Sequence, residues 1–228
     1  MDLIGNITIE SARELVADSA LWPRIRDFLW DFAPQVHASW IEELEAAAGE
    51  EGGTPQTDVQ SLAEGSWRIK SWMLSRLGVE PCFHAFPKGD WSRLLLLDGG
   101  MIESVATWLG ALSCAGDLRK VMDGAAVRKL KAALPGVYPE LFRYTAYFRA
   151  KVEGLKIGGP DEIAGVGWFM LQSYVKDLPE PMLRRLALKL PKRYSSLQPS
   201  TFDFHPETFN LQLLLKLRFP EAYSLCCS

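Results

Sequence analysis

No stretch of this chain stays apolar for the ~20 residues that a membrane-crossing helix requires. The nearest candidates, Val105–Gly116 (VATWLGALSCAG) and Ile163–Val175 (IAGVGWFMLQSYV), stop at 12 and 13 residues, the length of a helix buried in a core. The N-terminal MDLIGNITIESARELVAD brings acids early and has no basic residues ahead of an apolar run, so it does not read as a secretory leader. Cysteine is scarce. Cys82 and Cys114 are isolated and Cys226 and Cys227 are adjacent at the chain end, where bridging would close only a strained ring. Reduced thiols in a cytoplasmic protein are expected, with no membrane insertion.

Motifs that carry chemistry are also missing. His37, His84 and His205 are far apart and none belongs to an HExxH pair, while Cys82 and His84 offer two ligands where a zinc tetrahedron needs four. GALSCAG (Gly110–Gly116) lacks the GxSxG elbow. GEEGG, Gly99-Gly100 and GGP have neither the phosphate-loop spacing nor a preceding strand. Glu42, Glu43 and Glu45 make an acidic helix face with no opposed carboxylate. The chain is therefore expected to have no catalytic residues, no cofactor and no metal site. An enzyme reading would need groups distant in sequence to converge, with Cys82, His84 and Asp90 the trio to watch.

What is present is a helical pattern. The 228 residues are 48% hydrophobic and 23% charged, ordinary globular composition for a chain of one to two domains. Prolines and glycines cut the sequence into helix-length pieces, and period-2 alternation is almost absent. The expectation is an all-α fold, a single compact domain over residues 1–228. Acidic N-terminal helices occupy 1–48, a flexible acidic Gly-rich loop lies near 49–57, and 58–228 form the main core. Expected helices run over 11–18, 24–32 after Pro23, 35–48 after Pro34 and up to Gly49, and 58–77 from an Asp58 cap to a Gly78 stop. Asp90 caps the next piece; helices then follow over 101–115, 117–122, 125–134, 139–152, 162–175, 180–190 and 206–218.

Charge is unevenly spread. Residues 1–66 hold 13 Asp and Glu against three Arg, a net −10, and the remainder carries +7. Either the acidic helices lie against the basic remainder, or one or both surfaces meet oppositely charged partners. Two features suit partner contact. Trp22, Trp30 and Trp40 flank the acidic segment, and tryptophan is enriched at interface hot spots. In PEPMLRRLALKLPKR (Pro179–Arg193), Leu183, Leu186, Ala187 and Leu190 line one stripe, which predicts an outward basic face of Arg184, Arg185 and Lys189. The alternative is a helix-turn-helix in residues 116–134, a DNA-binding regulator, although net charge −3 and pI about 5.7 disfavour nucleic acid.

Four blocks together resemble the K component of type III secretion sorting platforms, the SctK/YscK family. They are FAPQVHASW (Phe32–Trp40), SRLGV (Ser75–Val79), the block from Trp91 to Leu134, and GVGWFMLQSYVKDLPEPMLRRLALKLP (Gly165–Pro191). In the last, a Gly-containing apolar helix, a proline break and a basic Leu-rich helix follow in the family's order. The resemblance implies a helical, non-enzymatic cytoplasmic adaptor of the injectisome. It would link the pod-forming Q component of the sorting platform to the cytoplasmic domain of the inner-membrane ring D component.

Overall fold

The computed structural model of the chain describes residues 21–50, 66–82, 84–121, 123–145, 148, 160–196 and 209–227. Among these residues the architecture is all-α with no strand. The expected helix over 11–18, the Asp58 cap and loop residues 51–57 lie outside them. The helices are α1 (Trp22–Leu29), α2 (Ala38–Glu50), α3 (Trp67–Arg76), α4 (Gly99–Ser113), α5 (Ala115–Leu118), α6 (Gly124–Ala133), α7 (Tyr138–Tyr144), α8 (Pro160–Val175), α9 (Glu180–Leu188), α10 (Leu211–Arg218) and α11 (Pro220–Cys227), with 3-10 turns at Ala33–Gln35, Trp91–Leu96 and Lys192–Ser196.

Local chemistry sets most boundaries. Asp90, Asp98, Asp123 and Asn210 each accept a backbone N–H from the first turn they precede, which satisfies a donor that has no partner within the helix. α3 ends at Gly78 (φ +69°), where Val79 N–H reaches Leu74 O at 2.8 Å and Gly78 N–H reaches Ser75 O at 3.0 Å, a left-handed cap that suits glycine. Several expected boundaries move. Pro34 opens only a 3-10 turn, and α2 begins at Ala38 and runs through Gly49. The piece after Asp117 stops at Leu118. The chain end is not frayed: Pro220 restarts a helix that buries Ala222 and Cys226.

The buried side chains form one continuous cluster. At its centre α4 crosses α8 with backbones in contact. A Cβ on Gly110 would lie 1.7 Å from Ile163 O, and one on Gly167 would lie 1.6 Å from Ala106 O. The other elements gather round this pair. α7 leans on α4, with Tyr144 edge-on to Trp108 at 5.6 Å. α10 is fastened by Arg218, which sits 4.6 Å over Trp108 and pairs with Glu140. The turn Trp91–Leu96, buried over Ser92–Leu96, is packed by α1, α8, α9 and α11.

The crossing makes a clear prediction. Gly110→Ala and Gly167→Ala force two backbones apart and should each cost about 3 kcal/mol or more. Gly116→Ala, with nothing within 4 Å of its Cβ, should be neutral or add up to about 1 kcal/mol through helix propensity. Urea midpoints of the three variants check this. Equal midpoints would remove the crossing as the determinant of the fold.

Candidate functional site

The basic helix points inward. Arg185 and Lys189 are each 2% exposed and Arg184 is half-buried, so the outward face expected of Arg184, Arg185 and Lys189 does not form. α9 is packed on its basic side as well as its leucine side, because aromatic rings and unpaired carbonyls await the cations there. Arg184 lies 5.1 Å over Trp40 and its Nε donates to Leu77 O at 2.8 Å, the carbonyl that follows α3. Arg185 lies 5.9 Å over Phe32 and reaches Cys82 Sγ at 2.6 Å and Pro181 O at 3.3 Å. Lys189 lies 4.9 Å over Phe28 and donates to Leu95 O at 2.6 Å and Leu97 O at 2.7 Å, where the 3-10 turn ends. Cations over aromatic faces gain more once desolvated.

Trp40 is likewise internal, at 6% exposure. Its Nε1 donates to Leu190 O at 2.9 Å, His37 N–H donates to Leu188 O at 2.8 Å, and Lys192 N–H donates to Ser39 Oγ at 2.9 Å. The start of α2 thus caps the end of α9. Lys192 pairs with Glu43, and Lys70 of α3 pairs with Asp31, so part of the charge asymmetry is met inside the chain.

Two clefts bear on chemistry. The larger, about 660 Å³, is lined by Arg24, Asp27, His37, Asp98, Glu103 and Lys189 among others. Its charges are of both signs, and its candidate groups are engaged. Asp98 caps α4 through Met101 N–H at 2.7 Å. His37 Nδ1 accepts Ser39 N–H at 3.1 Å and lies 3.0 Å from Ser39 Oγ, which puts the neutral ring's proton on Nε2 and spends the serine on capping. The smaller cleft, about 390 Å³ near Trp108, Leu134, Tyr194 and Phe219, holds Glu103 against the Tyr194 hydroxyl at 3.0 Å. Cys82 turns to Arg185 and to Met182 Sδ at 3.3 Å, while His84 stacks edge-on to Phe86 at 5.6 Å. Among the described residues no three His, Cys, Asp or Glu side chains are placed to hold a metal ion, and no helix is long and apolar enough to cross a membrane.

The exposed aromatics lie elsewhere. Trp22 is 38% and Trp30 54% exposed, as the sequence predicts, and α3 adds Trp67 at 73% and Trp72 at 38%. Trp67 and Trp72 carry a signal that the sequence reading missed. Ile69, Met73 and Leu77 already supply the i, i+4, i+8 core stripe of α3, which leaves both tryptophans outside it. A second exposed feature is α6, which buries Leu130 and presents Arg128, Lys129 and Lys131.

Comparison with protein-family models gives no match, and neither the curated proteins nor the solved structures include a match.

Two predictions follow from the inward helix. Arg185→Glu should unfold the protein or cost about 3 kcal/mol or more, because it buries an unpaired carboxylate among Phe32, Cys82 and Pro181; thermal melting reads it, and an unchanged melt would contradict the burial. Lys189 is held down to about 7 from 10.5, by burial first, with Asp98 opposing and Arg24 adding to the shift. Between those values the unfolded chain binds more protons, so stability should rise with pH from about 7 at up to about 1.4 kcal/mol per unit. Above about 9 the rise should be opposed, because burial raises the Cys114 and Cys226 thiols to about 12 and the unfolded chain then ionises first. Urea titrations from pH 6 to 10 should show the rise in the native chain and its loss in Lys189→Met.

Proposed function

We propose that the chain is a non-enzymatic adaptor that joins two proteins through separate surfaces. The observation that carries the reading is the exposure of tryptophan on α1 and α3, with Trp30 at 54% and Trp67 at 73%. Indole is among the side chains most enriched at binding hot spots, and contiguous exposed aromatic surface marks interaction sites. The basic ridge of α6, carried by a different element, supplies the second surface that an adaptor requires.

The sequence resemblance to the K component of type III secretion sorting platforms supports one machinery for such an adaptor. In that setting the protein works at the cytoplasmic face of the inner membrane. It links the pod-forming Q component to the cytoplasmic domain of the ring's D component, with no cofactor and no nucleic acid. Two of the blocks that carry the resemblance build the inward network: Phe32 and Trp40 stand at the ends of the first, and Arg184, Arg185 and Lys189 lie in the last. Co-expression with each cognate protein followed by size exclusion should give a complex with the Q component and a complex with the D cytoplasmic domain. Separate elution of all three folded proteins at micromolar concentration would overturn the assignment.

The DNA-binding alternative keeps one favourable observation, the exposed Arg128, Lys129 and Lys131 of α6. Against it, α5 is a single turn whose Ala115 and Leu118 are buried, a poor first helix for a helix-turn-helix. Duplex binding that weakens steeply with salt and is lost in Arg128→Glu would favour the regulator over the adaptor.

A further inference from the structure

The basic ridge of α6 runs into a cleft. Ala125, Lys129 and Ala133 follow one another at i, i+4 and i+8 and are all exposed, so they form one line about 12 Å long. Arg128 and Ala132, also exposed, make the line beside it, while Lys131 falls on the far side of the helix. Among the described residues neither Lys129 nor Arg128 has an acid partner. The alanines before and after these cations let another backbone come close.

At its C-terminal end the first line reaches the smaller cleft, of about 390 Å³, where Ala133 and Leu134 form part of the wall. Trp108 of α4, Val137, Tyr194 and Phe219 add further apolar wall. The polar groups there are spent within the chain. Ser104 Oγ donates to Gly100 O and Thr107 Oγ1 to Glu103 O, both at 2.8 Å. The Tyr194 hydroxyl donates to Glu103 Oε1 at 3.0 Å, and Arg193 Nη2 lies 3.9 Å from the same oxygen. Glu103 and Arg193 offset each other in charge, so the cleft offers rings and aliphatic carbon while the ridge outside it offers cations.

We propose that this ridge and cleft take an extended acidic peptide segment of a partner protein, with one large apolar side chain in the cleft and Glu or Asp along Lys129 and Arg128. The site is the second surface of the adaptor, and it rests on that reading for the ligand being a protein. Its dimensions suit a peptide. The cleft is toward the small end of the roughly 300–1,000 Å³ of ligand clefts, and the ridge adds the span of about four residues of extended chain. Charge complementarity selects acids, and the lined cleft selects an apolar anchor beside them. A lipid surface fits poorly, because the exposed lines of α6 carry alanine where an interfacial helix needs large apolar side chains. A duplex fits poorly too, since Lys131 faces away and two cations neutralise little of a phosphate backbone.

The test selects phage-displayed random peptides of about twelve residues on the full chain and remakes the enriched sequence with a fluorescein label. Enrichment of Leu, Phe or Trp within about four residues of an acid is expected, with a Kd of tens of micromolar or tighter by fluorescence anisotropy. Ala133→Phe, an exposed change that puts a ring at the cleft wall, should weaken binding by about tenfold or more, the size of a single hot-spot loss. Lys129→Glu should weaken the acidic peptide by about threefold or more, most at low salt, and strengthen a version whose acids are changed to Lys. Circular dichroism melts should match the native chain in both variants; if Ala133→Phe unfolds the chain, Lys129→Glu decides. No enrichment over bare support, equal affinity of the native chain and both variants, or tighter binding of Lys-bearing peptides or of duplex DNA would each overturn the site. Equal affinity would leave the adaptor reading standing with its surface elsewhere. Binding of the selected peptide without binding of either secretion component would keep the site and end the injectisome assignment.

Discussion

The backbone contact of α4 with α8 is the constraint on which the other packing depends. Without side chains at Gly110 and Gly167, the carbonyls of Ile163 and Ala106 come within the space that a Cβ would fill, so these two helices meet backbone to backbone. Their closeness lets short elements complete the core. α5, α7 and α10 have eight residues or fewer, too short to be stable alone, and they hold their shape by packing on the crossed pair and on each other. Trp108 shows how: one ring of α4 receives Tyr144 from α7 on its edge and Arg218 from α10 on its face.

A second network is built on cations, and it explains why so much positive charge stands on a helix that is nearly buried. Arg184 and Arg185 bring guanidinium groups, and Lys189 an amine that burial holds down to about 7, to aromatic faces in the N-terminal region, Trp40, Phe32 and Phe28 in turn. Each also finds a backbone carbonyl beyond its own first contact, at Leu77, Pro181, Leu95 or Leu97. A leucine at Lys189 would fill the same volume yet leave two carbonyls without a donor, and orphaned buried acceptors cost about 1–3 kcal/mol each. The same three residues couple the N-terminal helices to the remainder. The opposite charges of the two halves therefore serve contacts within the chain at Lys192–Glu43 and Lys70–Asp31, beside whatever they offer to partners.

The all-α class was legible because its causes are local: apolar spacing in α4 and α8, aspartate caps at Asp90, glycine at Gly78, and proline in the first turn of α1. The boundaries that moved involve longer-range effects. α2 begins at Ala38 because His37 caps it and binds Leu188 O across the core, which no local pattern foretells. The inward turn of Arg185 and Lys189 was hidden for the same reason. Amphipathic spacing ranks one face of α9 as polar and assumes water beyond it, whereas aromatic rings from α1 and its following turn occupy that space. Trp40 shows the converse, a residue among acids whose indole N–H reaches a helix-ending carbonyl 150 positions away.

The placement of tryptophan is where fold and function separate. Trp40, Trp108 and Trp168 are nearly buried, and each fills space that helix packing leaves open. Trp30 and Trp67, at 54% and 73% exposure, fill little of it, and Trp22 and Trp72, at 38% each, fill part, since Ile25, Phe28 and Leu29 on α1 and Met73 with Leu77 on α3 already close the core beneath them. Large apolar rings held in water lower solubility without adding to the packing of the monomer, and replacing them by polar residues would leave the interior unchanged. Rings as exposed as those of Trp30 and Trp67 contribute little to the packing of the monomer. α9, whose spacing predicts a basic surface, is by contrast part of the frame, with Arg185 and Lys189 each 2% exposed.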